Sequence, residues 1–325
     1  MIRLLRARIP EATALLLGAL LRISMAITHD ARIGFDFNGH WPYITYVAAH
    51  HSLAPLTLSA VSYHPPLYHV LAAVLVDLGL GPGGLAWLSV LLGILQLIVV
   101  AIGLERWLPE SRMARVVALF TAAVIPASVQ LDGMITNEPL NTLVCALALA
   151  VAPSAIEGLR TGCVGPTVRL AIWLGVALIT KISAIVLIVG LLIAIVLDVA
   201  RGPAPWPVAW RLRVRPLAAG AAVLFAISGW FFVRNQVLYG MLAPTGYDGT
   251  LKINQAPYEK IPYFRRRHLG FFVGWAPAVF GFPYAPSGYV PEPHFFPVML
   301  ASTFSDFYLY DFPARDADTP TVGAR

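Results

Sequence analysis

The sequence predicts an all-α polytopic membrane protein of about seven transmembrane helices, with juxtamembrane helices in its first outer loop. Composition, the arrangement of the apolar runs and the placement of arginine carry that expectation. Of the 325 residues, 58% are hydrophobic and only 12% charged, against about 25% charged in an ordinary soluble domain. Mean hydropathy is +0.71. The net charge of +6 reports topology in such a chain, because cytoplasmic loops collect Lys and Arg; no nucleic-acid partner is implied. Two cysteines, Cys145 in an apolar run and Cys163 in a Gly/Pro-containing loop, indicate no disulfide framework and no zinc pattern.

The amino terminus places Arg3, Arg6 and Arg8 before an apolar run that ends near Thr28. That is a signal-anchor pattern, with the amino terminus cytoplasmic and the following loop, residues 29–83, outside. This loop holds the stretch FDFNGHWPYITYVAAHHSLAP, residues 35–55, in which Asp36 and His40 stand four apart among Trp41, Tyr43 and Tyr46. An acid and a histidine at that spacing share a face of one helix or of its entry turn. The next segment, VSYHPPLYHVLAAVLVDLGLGPGG, opens a helix after Pro65 and Pro66. Its apolar run, 67–80, falls short of the ~20 residues a straight span needs.

Further apolar runs cover 85–104, 116–131, 140–152, 170–179, 182–197 and 217–232, with Lys181 dividing one long stretch. Arg106, Arg112 and Arg115 lie in one loop, Arg160 and Arg169 in another, and Arg201, Arg211, Arg213 and Arg215 in a third. All three loops fall on the cytoplasmic side only if the run after Pro66 lies on the outer surface. That arrangement leaves seven spans and brings Asp36, His40, His64, Asp132, Glu138, Lys181 and Arg234 to one membrane face. Singly, each reads as a charge at a helix end. Together they read as a polar site roofing a bundle, since ionisable groups at membrane depth are expensive.

Residues 236–325 differ in character: they are rich in Pro, Gly and Tyr and carry the basic run Arg265–His268. Such a run is a solvated face or a binder of anionic headgroups. Neither a phosphate-binding loop, a dinucleotide fingerprint nor an internal repeat is present.

Several stretches, in order and on one membrane side, resemble the membrane-embedded glycosyltransferases of the GT-C class, among them protein O-mannosyltransferases and aminoarabinose transferases. The resemblance runs over 1–235: residues 35–55 are similar to the first-loop motif, HPPLYHVLAA from His64 to the segment that opens a juxtamembrane helix, and LDGMITNEPL to the acidic second loop. LITKISAIVLI around Lys181 and SGWFFVRNQVLYG around Arg234 complete it. Two departures stand out. Phe37 follows Asp36 where many relatives have a second acid, and the chain stops at Arg325 where relatives continue with further spans, so 236–325 is expected to be a shortened carboxyl-terminal part.

The resemblance implies an inverting transfer of a sugar from a polyprenyl-phosphate donor to a glycan, lipid or protein hydroxyl at the extracytoplasmic face of the plasma (inner) membrane. In that reading Asp36 is the base, with Asp132 and Glu138 as candidate second-loop acids. Lys181 and Arg234 hold phosphate, and His40, His64, Tyr43 and Asn235 line the substrate site. A divalent cation is left open. A positioned carboxylate deprotonates the acceptor, and cations stabilise charge on the leaving phosphate. The alternatives are a lipid or sugar transporter, which calls for inverted repeats and helices broken at mid-membrane, and a non-catalytic relative.

Overall fold

The computed structural model describes residues 8–32, 37–59, 61–202 and 206–244. Among these all regular secondary structure is helical. Asp36, Arg3, Arg6, the basic run at 265–268 and nearly all of 236–325 lie outside the described residues.

Helix α1 runs Ile9–Thr28 and starts with Pro10 in its first turn, where the missing N–H deletes no helical bond. Two short helices follow, α2 (Phe37–His50) and α3 (Leu67–Asp77). They pair with each other and sit on the start of the next helix. Tyr43, Ile44, Val47, Tyr68 and Ala72 form one buried cluster with Leu85 and Ile135. At 11 residues, α3 is well short of the ~20 that cross a bilayer.

Helix α4 (Pro82–Trp107) begins at Gly81 and Pro82. Next, α5 (Arg112–Val124) is capped by the Ser111 hydroxyl, which accepts from the Ala114 N–H. Pro126 interrupts that helix, and α6 (Pro126–Leu131) follows it, because proline can open a helix but cannot donate within one. Helix α7 (Glu138–Thr161) ends at Gly162, whose φ of 76° is the left-handed conformation glycine adopts without strain. Then α8 (Val164–Thr180) stops where Lys181 turns extended, and a short 3₁₀ turn leads into α9 (Ile185–Arg201). The last pass is α10 (Trp206–Leu224), a π-helical turn at Phe225–Gly229, and α11 (Trp230–Tyr239).

Five helical stretches are long and apolar enough to cross a membrane: Ile9–Thr28, Pro82–Trp107, Glu138–Thr161, Ile182–Arg201 and Pro207–Tyr239. This is compatible with an integral membrane protein. The other two runs read as spans from the sequence form shorter helices. Pro126 divides one, and α8 has 17 residues.

The bundle has a basic end and a polar end. At the basic end Arg8 pairs with Glu105 at 3.3 Å and Arg112 with Glu11 at 2.9 Å. There also Asp198 accepts from Arg160 and Arg213. The polar end carries α2, α3, the turn at 132–137 and Lys181: Ser89 donates to the Met134 carbonyl at 2.8 Å, and Asn137 donates to the Thr180 carbonyl at 3.3 Å. Small residues set the close approaches between helices. A Cβ at Gly93 would lie 2.4 Å from the Asp132 carboxylate, and one at Gly18 2.5 Å from Leu97.

Candidate functional site

The polar end gathers its side chains from separate elements. Helix α2 turns His40 and Tyr43 inward, three residues apart on one face, and both are buried. The Pro65–Pro66 step leads from His64 into α3, which buries Tyr68 and His69. Turn 132–137 and the start of α7 bring Thr136, Asn137 and Glu138, and the end of α8 brings Lys181.

Three imidazoles lie in one cluster. His40 Nδ1 and His69 Nε2 are 2.9 Å apart, and His40 Nε2 lies 3.4 Å from the Thr136 hydroxyl. Between two neutral imidazoles such a contact needs one N–H donor and one bare nitrogen, so a single proton bridges the pair. The His64 ring lies 5.9 Å from that of His40 and stacks on Tyr63 at 4.4 Å. The His69 ring stacks on Tyr43 at 4.0 Å.

Burial, reinforced by His69, His64 and Lys181, pushes the His40 pKa well below its ordinary value. Burial first, then His64, lowers His69. For His64, burial and the nearby Lys181 bring the value down to about 3. All three rings are therefore neutral near pH 7. They hand on or accept hydrogen bonds, and the positive charge of the site belongs to Lys181 and Arg234.

Lys181 forms an ion pair with Glu138. Their side chains are 17% and 23% exposed, so the pair stays in reach of solvent and of a ligand. Arg234, at the end of the last pass, donates to the Asn235 side-chain oxygen at 3.3 Å and lies 5.9 Å over the Tyr239 ring. It makes no ion pair among the described residues. Its charge reaches Tyr43, whose phenol is raised by burial, an effect Arg234 opposes. Asn235 is fully buried, and its Nδ2 finds no partner among the described residues.

Of the residues singled out from sequence, the structure thus brings together His40, His64, Tyr43, Glu138, Lys181, Arg234 and Asn235. Asp132 is elsewhere. Its carboxylate takes Arg22 Nε at 2.6 Å, and the two side chains are 3% and 0% exposed. The sequence offers it as a candidate second-loop acid, but its carboxylate is taken by Arg22 inside the bundle. Glu138 instead pairs with Lys181. Asp36 immediately precedes α2 and lies outside the described residues.

Sequence reasoning missed His69 and Thr136. The signal for His69 was its place on a helix face one turn past His64–Pro65, in a segment otherwise apolar. Among the described residues no group of three or more His, Cys, Asp or Glu is arranged to hold a metal ion.

No family model, curated protein or solved structure matches the chain.

Proposed function

We propose that this chain is a membrane-embedded glycosyltransferase that moves a sugar from a polyprenyl-phosphate donor to an acceptor hydroxyl at the polar end of its bundle. Seven passes would put that end on the extracytoplasmic face of the inner membrane and the basic end in the cytoplasm. The reading is supported chiefly by one observation. Two cations, a carboxylate and a set of neutral imidazoles, drawn from distant parts of the chain, converge where a membrane-bound donor would present its phosphate. The motif resemblance supplies the reaction class.

In this reading the acceptor O–H gives its proton to a carboxylate, Asp36 in the first instance. Its oxygen bonds to the anomeric carbon from the face opposite the departing group. The carbon–oxygen bond to phosphate breaks with its electron pair going to the phosphate oxygen, and the configuration inverts. Arg234 meets that developing charge with a forked donor set. Lys181 has three donors, enough to keep Glu138 and still contact a phosphate oxygen. Tyr43, His40 and His64 line the approach and fix its hydrogen bonds, and Asn235 holds Arg234.

The test is incubation of the reconstituted protein with polyprenyl-phosphate sugars, reading release of the lipid phosphate. Turnover is expected, with Asp36→Asn lowering it at least about a hundred-fold. Lys181→Met is expected to weaken donor binding roughly ten- to a hundred-fold. Sugar-lipid movement across the membrane without bond cleavage would replace this reading by a transporter. Unchanged donor affinity in a Lys181→Met protein of lowered melting temperature would reduce Lys181 to a helix-holding partner of Glu138.

A further inference from the structure

A second polar feature lies at the opposite end of the bundle. Between α7, α9 and α10 the structure has a cavity of about 840 Å³. Ile156, Leu197 and Leu212 form part of its apolar wall, and its charged groups are Arg160, Arg201, Arg213 and Asp198. Three guanidiniums therefore face one carboxylate.

Asp198 organises two of them. Its Oδ1 accepts from Arg160 Nε at 3.1 Å and its Oδ2 from Arg213 Nη2 at 2.7 Å. Glu157, which lies outside the lining, takes a further Arg160 nitrogen at 3.2 Å. Arg201 is exposed and makes no ion pair among the described residues. Arg213 is the telling member. It is only 6% exposed, its Nη1 donates to the Ala209 carbonyl at 2.9 Å, and its Nε has no partner among the described residues. A cation that merely marked a cytoplasmic loop would extend into water. This one is drawn inside, held in a fixed orientation, and left with a donor unmet, which is costly unless a further acceptor is supplied.

We propose that this cavity binds a phosphate group, carried by an anionic membrane lipid whose acyl chains lie along the apolar wall. Planar guanidiniums match phosphate oxygens in forked geometry. The site is at the end of the bundle where the basic loops meet the membrane surface, and basic pockets between helices at that level suit anionic headgroups. The surplus of positive charge rejects a zwitterionic headgroup. This site is separate from the polar end and does not depend on the chemistry proposed there.

The experiment is lipid binding to the purified full chain by native mass spectrometry. It compares phosphatidylglycerol, phosphatidylcholine with the same acyl chains, and inorganic phosphate. Phosphatidylglycerol is expected to bind at least about ten-fold more tightly than phosphatidylcholine. Arg213→Gln and Arg201→Gln should each weaken it roughly ten-fold or more. Arg201 is exposed and makes no ion pair among the described residues, so its variant remains informative should Arg213→Gln fail to fold. Arg169→Gln, an exposed cation of α8 outside the cavity, should change nothing. Binding of inorganic phosphate alone, with the same sensitivity to Arg201 and Arg213, keeps phosphate recognition and makes the free ion its source. Equal binding of the two lipids, or an Arg169→Gln loss equal to that of the cavity variants, overturns the proposal.

Discussion

Arg22 and Asp132 meet at 2.6 Å in the interior of the bundle, and the rest of the guanidinium is satisfied by the Gly18 and Ala123 carbonyls and the Ser128 hydroxyl, each at 3.1 Å. A buried pair of this kind adds little net stability, but removing one partner strands the other's charge, at about 3–5 kcal/mol. Arg22→Met should therefore lower the melting temperature of the detergent-solubilised protein sharply. The double variant Arg22→Met/Asp132→Asn should recover part of the loss, because no uncompensated charge remains. A double variant no better than the single one would mean that Arg22 acts through its carbonyl contacts. His64 supports a second prediction, with a sign that follows from its burial. Its value falls from 6.5 to about 3 in the folded chain, so between those limits the unfolded state binds the extra proton. The stabilising contribution is present above about pH 6.5 and is lost as pH falls toward 3. Melting temperature should decline through that window, and His64→Phe, which keeps a ring against Tyr63, should flatten part of the decline. A profile identical in the variant would assign the acid sensitivity to other groups.

At the level of the helices, Gly93 is where α4 comes close to the Arg22–Asp132 pair. A Cβ there would stand 2.4 Å from the Asp132 carboxylate and 2.9 Å from Arg22 Nε. Alanine is the better helix former by about 1 kcal/mol, so propensity alone predicts that Gly93→Ala stabilises. The packing predicts the opposite, since both neighbours are buried and hydrogen-bonded and neither can swing into solvent. A fall in melting temperature supports the packing argument, whereas a rise would mean that the pair relaxes. The helices also show how far the sequence could be read. Pro65 and Pro66 announce a helix start and Lys181 announces a break, because each acts through its own backbone or through neighbours within one turn, whereas the break at Pro126 falls inside a run expected to be continuous over 116–131. Which helix Gly93 or Gly18 lies against was not legible, because that depends on residues dozens of positions away.

For the molecule as a whole, the opposed basic and polar ends make a topology prediction. Cys163 is exposed at the basic end and unpaired, so it is a native reporter. It should label with a membrane-impermeant thiol reagent from the same side as a cysteine placed at Ser111. In a Cys163→Ser background, a cysteine at Gly83, next to the α2–α3 cap, should label from the other side. Labelling of Ser111 and Gly83 positions from one side would undo the arrangement of ends across a membrane, and with it the reading of the polar end as one extracytoplasmic site.

The sequence by itself determined the helical class and its long apolar runs, and it led to the expectation of one common end for Asp36, His40, His64, Asp132, Glu138, Lys181 and Arg234. Each follows from one-dimensional quantities: the length of an apolar run, the sign of a loop, the parity of the crossings. Only the tertiary structure decided who pairs with whom. It gave Asp132 to Arg22 and Glu138 to Lys181, joined His69 to His40, and enclosed Arg213 beside a cavity. Parity brings charges to a level along the bundle axis, but rotation of each helix about its own axis chooses the partner. That rotation is set by the packing of small residues such as Gly18 and Gly93 against other passes, information that no single stretch of the chain contains.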